Sequence, residues 1–168
     1  MTHANTTLPA GLRVALVHDY LREYGGAERV VEALHKIFPD APLYVSFVDA
    51  SVTGIHWPKF AQMTIHQSWL TKIPLYKKLF SPLRVWAPEY FSQFDLSEFD
   101  VVISSTNAYF SKAVKVKGDT HSALHICYCH TPARSLYGYT TRTNWQGNPV
   151  TKFLGTILNH YLRIRDVS

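Results

Sequence analysis

The sequence predicts an α/β domain built on an open parallel sheet flanked by helices. Three observations carry that expectation. Leu12 to His18 (LRVALVH) is a short apolar, β-branched run without polar alternation, the pattern of a central strand buried on both faces. A loop, Asp19 to Gly25, then leads into Ala27, Val30, Val31, Leu34, Ile37 and Phe38 at helical spacing. Leu43 to Val48 (LYVSFV) follows as a second strand, so strand, glycine-bearing loop, helix and strand open a βαβ unit with a right-handed crossover.

The remaining elements follow in order. Glu32 and Lys36 pair four apart on the outer side of the first helix, which Pro39 ends, and Asp49 closes the second strand. Met63 to His66 reads as a short third strand. Ser68 to Phe94 is interrupted by Pro74, Pro82 and Pro88, so it reads as short helical pieces rather than one helix. Asp100 to Ser105 (DVVISS) and Ala123 to Cys129 (ALHICYC) read as two further buried strands. The stretch from Thr131 to Pro149, with many Thr, Gly, Asn and Tyr residues, reads as a long loop of the functional or mobile kind. Val150, Phe153, Leu154, Ile157, Leu158 and Tyr161 form the apolar stripe of a terminal helix ending among Arg163 and Arg165.

Composition bounds the function. With 168 residues and 46% hydrophobic content the chain holds one domain with a substantial core, and 17% charged residues exclude a disordered class. No apolar run approaches the roughly 20 residues that cross a bilayer. Residues 1–11 are a polar extension without the basic-then-apolar order of a signal peptide, so a cytoplasmic location is expected. Cys127 and Cys129 are too close along one strand for ordinary disulfide geometry and read as free, buried thiols of a reducing compartment. The net charge is +5, and between Ala50 and Pro88 there is no acidic residue while Lys59, Lys72, Lys77, Lys78 and Arg84 all fall there. Such a balance points to anionic partners: nucleotide phosphates, lipid headgroups or nucleic acid.

Three places can carry chemistry. Gly25 and Gly26 stand where the first strand turns into its helix; bare backbone and the N–H groups of a helix start favour an anion, although a tight structural turn needs the same residues. Neither G-x-G-x-x-G nor G-x-x-x-x-G-K-[ST] is present, so Asp49, placed where a dinucleotide fold keeps its ribose acid, lacks the glycine pattern that would give it meaning. His130, followed by Thr131 and Pro132, leaves the end of a strand, where ligands gather in open α/β sheets; it reads as a hydrogen-bonding or acid/base group, or as a turn residue before proline. The stretch around Trp69, Lys72, Lys77 and Lys78 reads either as a contact for an anionic membrane surface or as a solvated helix, and no RNA- or DNA-binding motif accompanies it. His125, Cys127 and Cys129 share a strand face, but they lack the turn spacing and second ligand pair of a zinc site.

Taken together these segments resemble one family. Val17-His18-Asp19-Tyr20 followed by Gly25-Gly26-Ala27-Glu28-Arg29-Val30-Val31, then Phe94 to Ser105 (FDLSEFDVVISS), then Ile126-Cys127-Tyr128-Cys129-His130-Thr131-Pro132-Ala133-Arg134, look like the N-terminal domain of a bacterial family 4 glycosyltransferase. The subgroup it resembles transfers mannose and similar sugars in O-antigen and polysaccharide synthesis. The resemblance implies a Rossmann-like N-terminal domain over residues 12–168, one half of a two-domain GT-B architecture. It implies that Gly25 and Gly26 lie against the diphosphate of a nucleotide-sugar donor such as GDP-mannose, with Glu28 beginning the helix behind them. It implies that His130 approaches the transferred sugar and that Asp19, Tyr20, Thr106 and Arg134 line the acceptor side. No metal or other cofactor is implied, since phosphate contacts in this fold come from helix starts and basic side chains.

Two departures stand out. Where the family runs small residues into Ala-Lys-Gly, this chain has Thr106-Asn107-Ala108-Tyr109-Phe110-Ser111-Lys112. The family's N-terminal domain also continues into a further strand and a donor-binding C-terminal domain, neither of which these 168 residues contain. The expectation is therefore a domain truncated before its last strand and inactive alone. The other readings are a non-catalytic module completed by a separate C-terminal polypeptide and a small nucleotide-binding oxidoreductase.

Overall fold

A computed structural model describes residues 11–107, 110–131, 136 and 149–167. Among the described residues five strands form one sheet: β1 (Val14–His18), β2 (Leu43–Val45), β3 (Ile65–Gln67), β4 (Val101–Thr106) and β5 (Leu124–Cys129). Six α-helices of the same residues accompany it: α1 (Gly26–Ile37), α2 (Ala50–Thr53), α3 (Pro58–Ala61), α4 (Tyr76–Leu83), α5 (Ala87–Ser92) and α6 (Pro149–Val167). Every strand pairing is parallel and the order is β3-β2-β1-β4-β5, so the fold is α/β with a Rossmann-like open sheet.

β1 is the middle strand and is buried throughout, as its unbroken apolar run requires. Its alternate residues feed two cores. Ala15 and Val17 join Phe47, Tyr90, Phe91, Phe94 and Leu96 on one face, while Val14 and Leu16 join Val31, Leu43, Phe60 and Met63 on the other. α1 ends where Phe38 donates its N–H to the Leu34 carbonyl at 2.9 Å, immediately before Pro39. Lys36 and Glu32 meet at 2.8 Å on its outer side.

Several elements differ from expectation, each for a physical reason. β2 stops at Val45 because Ser46 donates its N–H to the Asp19 carbonyl, one residue past the end of β1 and out of the regular register. The third strand begins at Ile65, two residues late, since Met63 is packed into the core below the sheet. The proline-rich stretch is indeed a series of short pieces, with a 3₁₀ turn at Trp69–Lys72 before α4 and another at Arg84–Trp86 between α4 and α5.

β5 is a larger correction. Its apolar run predicts burial, yet among the described residues β5 is an edge strand, and Leu124, Ile126 and Tyr128 on one face and Cys127 and Cys129 on the other are exposed. α6 carries its apolar stripe outward as well: Phe153, Leu154, Ile157 and Tyr161 are exposed, and the helix docks through Leu162 and Asn159 instead. Asn159 accepts from the Arg84 guanidinium at 3.2 Å.

Candidate functional site

In an open parallel sheet, ligands bind beyond the carboxyl ends of the strands, where neighbouring strands diverge in connection. Here that point lies between β1 and β4, because β2 and β3 extend the sheet one way from β1 and β4 and β5 the other. The parallel register sets His18 beside Ser105, and Thr106 beside Cys129. His130 therefore emerges next to Thr106, to whose carbonyl it donates its N–H at 3.0 Å.

A buried polar chain crosses this point. His18 closes β1 with 1% of its surface exposed, and Glu28 sits in the first turn of α1 with 3%. The Nδ1 of His18 lies 2.8 Å from the Ser105 carbonyl and its Nε2 lies 3.4 Å from Oε1 of Glu28. Oε2 of Glu28 accepts the Gly25 N–H at 2.8 Å. On the far side, the Ser105 hydroxyl lies 2.8 Å from Nε2 of His130. The glycine turn, the first helix and two histidines are thus joined through one serine.

The ionisation of the pair follows from its surroundings. Burial disfavours the His18 cation, but the Glu28 hydrogen bond, the negative charges of Asp19 and Glu28 and the Ser105 carbonyl outweigh it and raise the histidine above its ordinary value. Burial likewise disfavours the Glu28 carboxylate, and the hydrogen bonds from His18 and the Gly25 N–H with the charge of His18 outweigh it and lower the acid. For His130 burial comes first, and the His18 cation adds to it; Asp19 and Glu28 act the other way, and the net is a histidine below its ordinary value.

The expected site residues fall into distinct situations. Gly25 has extended backbone, and a Cβ there would come within 3.3 Å of Glu28 Oε2, a tight contact that the buried glutamate would have to yield to. Its N–H is already held by Glu28, which leaves Gly26 as the open position: it is exposed, and a Cβ there would meet nothing within 4 Å. Asp19 and Thr106 are buried against each other. The Asp19 carboxylate accepts from Thr106 Oγ1 at 3.0 and 3.2 Å, from the Asn107 N–H at 2.7 Å and from the Ser111 N–H at 3.1 Å. These two residues tie the loop after β1 to the loop after β4. Tyr20 stacks on Phe47 at 5.8 Å and meets Phe80 edge-on at 5.5 Å. Burial, helped by the charges of Glu23, Asp19 and Glu28, pushes its phenol up to about 12. Arg134 lies outside the described residues.

Three other assignments are modified by the geometry. Asp49 binds Ser51 Oγ at 2.7 Å and Lys77 Nζ at 3.0 Å, so its carboxylate serves α2 and α4. In the basic stretch, Trp69 packs edge-on against Tyr90 at 6.0 Å, while Lys72 and Lys78 are exposed. His125 is held by Ser104 Oγ at 2.9 Å, and among the described residues no group of three or more His, Cys, Asp or Glu is arranged to hold a metal ion. No described helix is long and apolar enough to cross a membrane.

His18 is the residue that sequence reasoning missed. The available signal was a histidine closing an otherwise apolar strand, with a glutamate in the first turn of the next helix; only the strand-turn-helix geometry makes them neighbours. No family model, curated protein or solved structure matches this chain.

Proposed function

We propose that this chain is the N-terminal, acceptor-side domain of a retaining family 4 glycosyltransferase of the GT-B type. Its reaction moves a sugar from a nucleotide-sugar such as GDP-mannose to a lipid-linked or saccharide acceptor in cell-surface polysaccharide synthesis. One observation carries the reading: the exposed start of α1 at Gly26 and the side chain of His130 are linked through Glu28, His18 and Ser105 at the same divergence point of the sheet. A helix start offers N–H groups and a partial positive charge to a diphosphate. The buried histidine offsets the negative charge that Glu28 would otherwise place there.

The arrangement supplies one wall of a cleft. Tyr20 and His130 present hydrogen-bonding groups, while the buried Asp19–Thr106 contact fixes the loops that hold them. Retaining transfer also needs stabilisation of the departing diphosphate and positioning of the acceptor from the opposite side. The exposed β5 edge and the outward apolar stripe of α6 favour a second reading, in which a separate polypeptide completes the enzyme at this face. The exposed lysines of α4 and the preceding turn, Lys78 and Lys72, beside exposed Leu75 and Leu79, support contact with an anionic membrane surface near a lipid-linked acceptor. The oxidoreductase reading is disfavoured by Asp49, whose carboxylate is engaged by Lys77 and Ser51 rather than offered to a ribose.

A turnover assay with GDP- and UDP-sugars on this chain tests the proposal. No transfer is expected from the chain alone, with activity appearing when a donor-binding GT-B half is supplied. Robust transfer by these 168 residues alone would overturn the one-wall account.

A further inference from the structure

We infer that Ser105, with the His18–Glu28 pair behind it, holds His130 as a neutral imidazole protonated on Nδ1, so that His130 donates a hydrogen bond to a ligand oxygen and Ser105 and His18 are its positioning residues. What the ligand is rests on the function proposed above. The state of His130 rests on the hydrogen-bond geometry.

A carbonyl oxygen only accepts, so the 2.8 Å contact to the Ser105 carbonyl places a hydrogen on Nδ1 of His18. Nε2 faces Glu28 Oε1 at 3.4 Å, and the other oxygen of that carboxylate already accepts the Gly25 N–H. Nε2 therefore carries a hydrogen too. With Glu28 held as a carboxylate, since its hydrogen bonds from His18 and the Gly25 N–H lower it, the imidazolium is the form that satisfies both contacts, buried against the opposite charge. The Ser105 carbonyl also accepts from Ser111 Oγ at 3.3 Å, so this serine is tied down by its backbone.

The serine hydroxyl passes the constraint on. Ser105 is 1% exposed, and among the described residues its Oγ has one partner, Nε2 of His130 at 2.8 Å. A buried hydroxyl hydrogen without an acceptor costs about 1–3 kcal/mol, so Oγ donates and Nε2 accepts. A His130 imidazolium would point a second hydrogen at that oxygen and orphan the first. It would also place two cations on either side of one serine. The charged groups facing the ring are His18, Asp19 and Glu28, and burial with the His18 charge prevails over the two carboxylates to keep it neutral. The backbone N–H of His130 is anchored on Thr106, and the Tyr128 ring lies against the imidazole at 4.8 Å. What remains is Nδ1–H, which no described residue engages. Its chemistry suits a sugar hydroxyl or a phosphate oxygen, and it is not a general base.

Long-range ¹⁵N–¹H spectra of the histidine rings, recorded on the ligand-free chain from pH 5 to 9, test this. Two protonated nitrogens are expected for His18 at and above its ordinary midpoint of 6.5, and one protonated nitrogen, Nδ1, for the neutral His130. Ser105→Ala is expected to shift the His130 tautomer ratio by about fivefold toward Nε2–H, the equivalent of about 1 kcal/mol, while His18 stays doubly protonated. Ser105→Thr, which keeps the hydroxyl, is expected to restore the ratio. His18→Gln should raise the titration midpoint of His130; if that variant does not fold, the Ala/Thr pair at Ser105 decides. A wild-type His130 protonated on Nε2, or a ratio unmoved by Ser105→Ala, would overturn the inference. Because no nucleotide-sugar is present, this outcome stands apart from whether the glycosyltransferase reading holds.

Discussion

His18 and Glu28 place an ion pair where β1 turns into α1, at a depth where each charge depends on the other. Removing one partner of such a pair typically costs about 3–5 kcal/mol, because the survivor stays buried and uncompensated. His18 is raised from 6.5, so its contribution is fully present below that value and is lost as pH rises through the raised one. Glu28 is lowered from 4.5, so its contribution is present above that value and is lost as pH falls through the lowered one. Both are complete between 4.5 and 6.5. Comparing urea unfolding of the wild type with His18→Gln/Glu28→Gln across pH tests this pair, with the lowered His125, whose shift comes from burial alone, contributing alike to both proteins. The wild-type advantage is expected to be greatest in that window and to shrink on the alkaline side; a difference flat from pH 5 to 10 would contradict a charged His18.

The two glycines separate by the same reasoning. Gly25→Ala presses a methyl against Glu28 Oε2 and is expected to destabilise, whereas Gly26→Ala meets open space at a helix start. The second change is expected to stabilise by about 0.4–1 kcal/mol through the unfolded chain, read as a rise in thermal midpoint. Any phosphate that needs the bare backbone at Gly26 should bind the variant less well. His18 was not legible beforehand because a residue closing an apolar run reads as strand, and nothing in the spacing pairs it with a glutamate ten positions on. The positions of Gly25 and Gly26 at a strand-to-helix turn and of His130 just past a strand end were legible, because turn chemistry and strand ends are local signals.

At the scale of elements, the central strands follow from their apolar runs, and the expected βαβ opening is present as β1, α1 and β2. The same logic failed for β5. An apolar run states that a strand wants cover, but whether it receives cover depends on its rank in the sheet, which arises from the whole topology. Exposure of both faces at a strand that has no outer partner among the described residues has a chemical consequence. Cys127 and Cys129 are expected to react with a thiol reagent in the native protein, without denaturant. Modification only after unfolding would contradict the exposure of these two side chains. α6 shows a related effect: its stripe was readable by period, yet the face that docks is the one bearing Asn159 and Leu162.

In the whole molecule, a parallel sheet, a divergence point between β1 and β4 and a buried polar chain from the helix start to His130 come together. The carboxyl ends of these strands are proposed as one wall of a nucleotide-sugar cleft. Backbone amide shifts of ¹⁵N-labelled protein, titrated in parallel with GDP-mannose and NAD, test this most directly. Weak, saturable shifts from GDP-mannose are expected, centred on Gly26, Ala27 and His130, with little response to NAD. Shifts that cluster elsewhere on the sheet, or an equal response to both nucleotides at these strand ends, would contradict it.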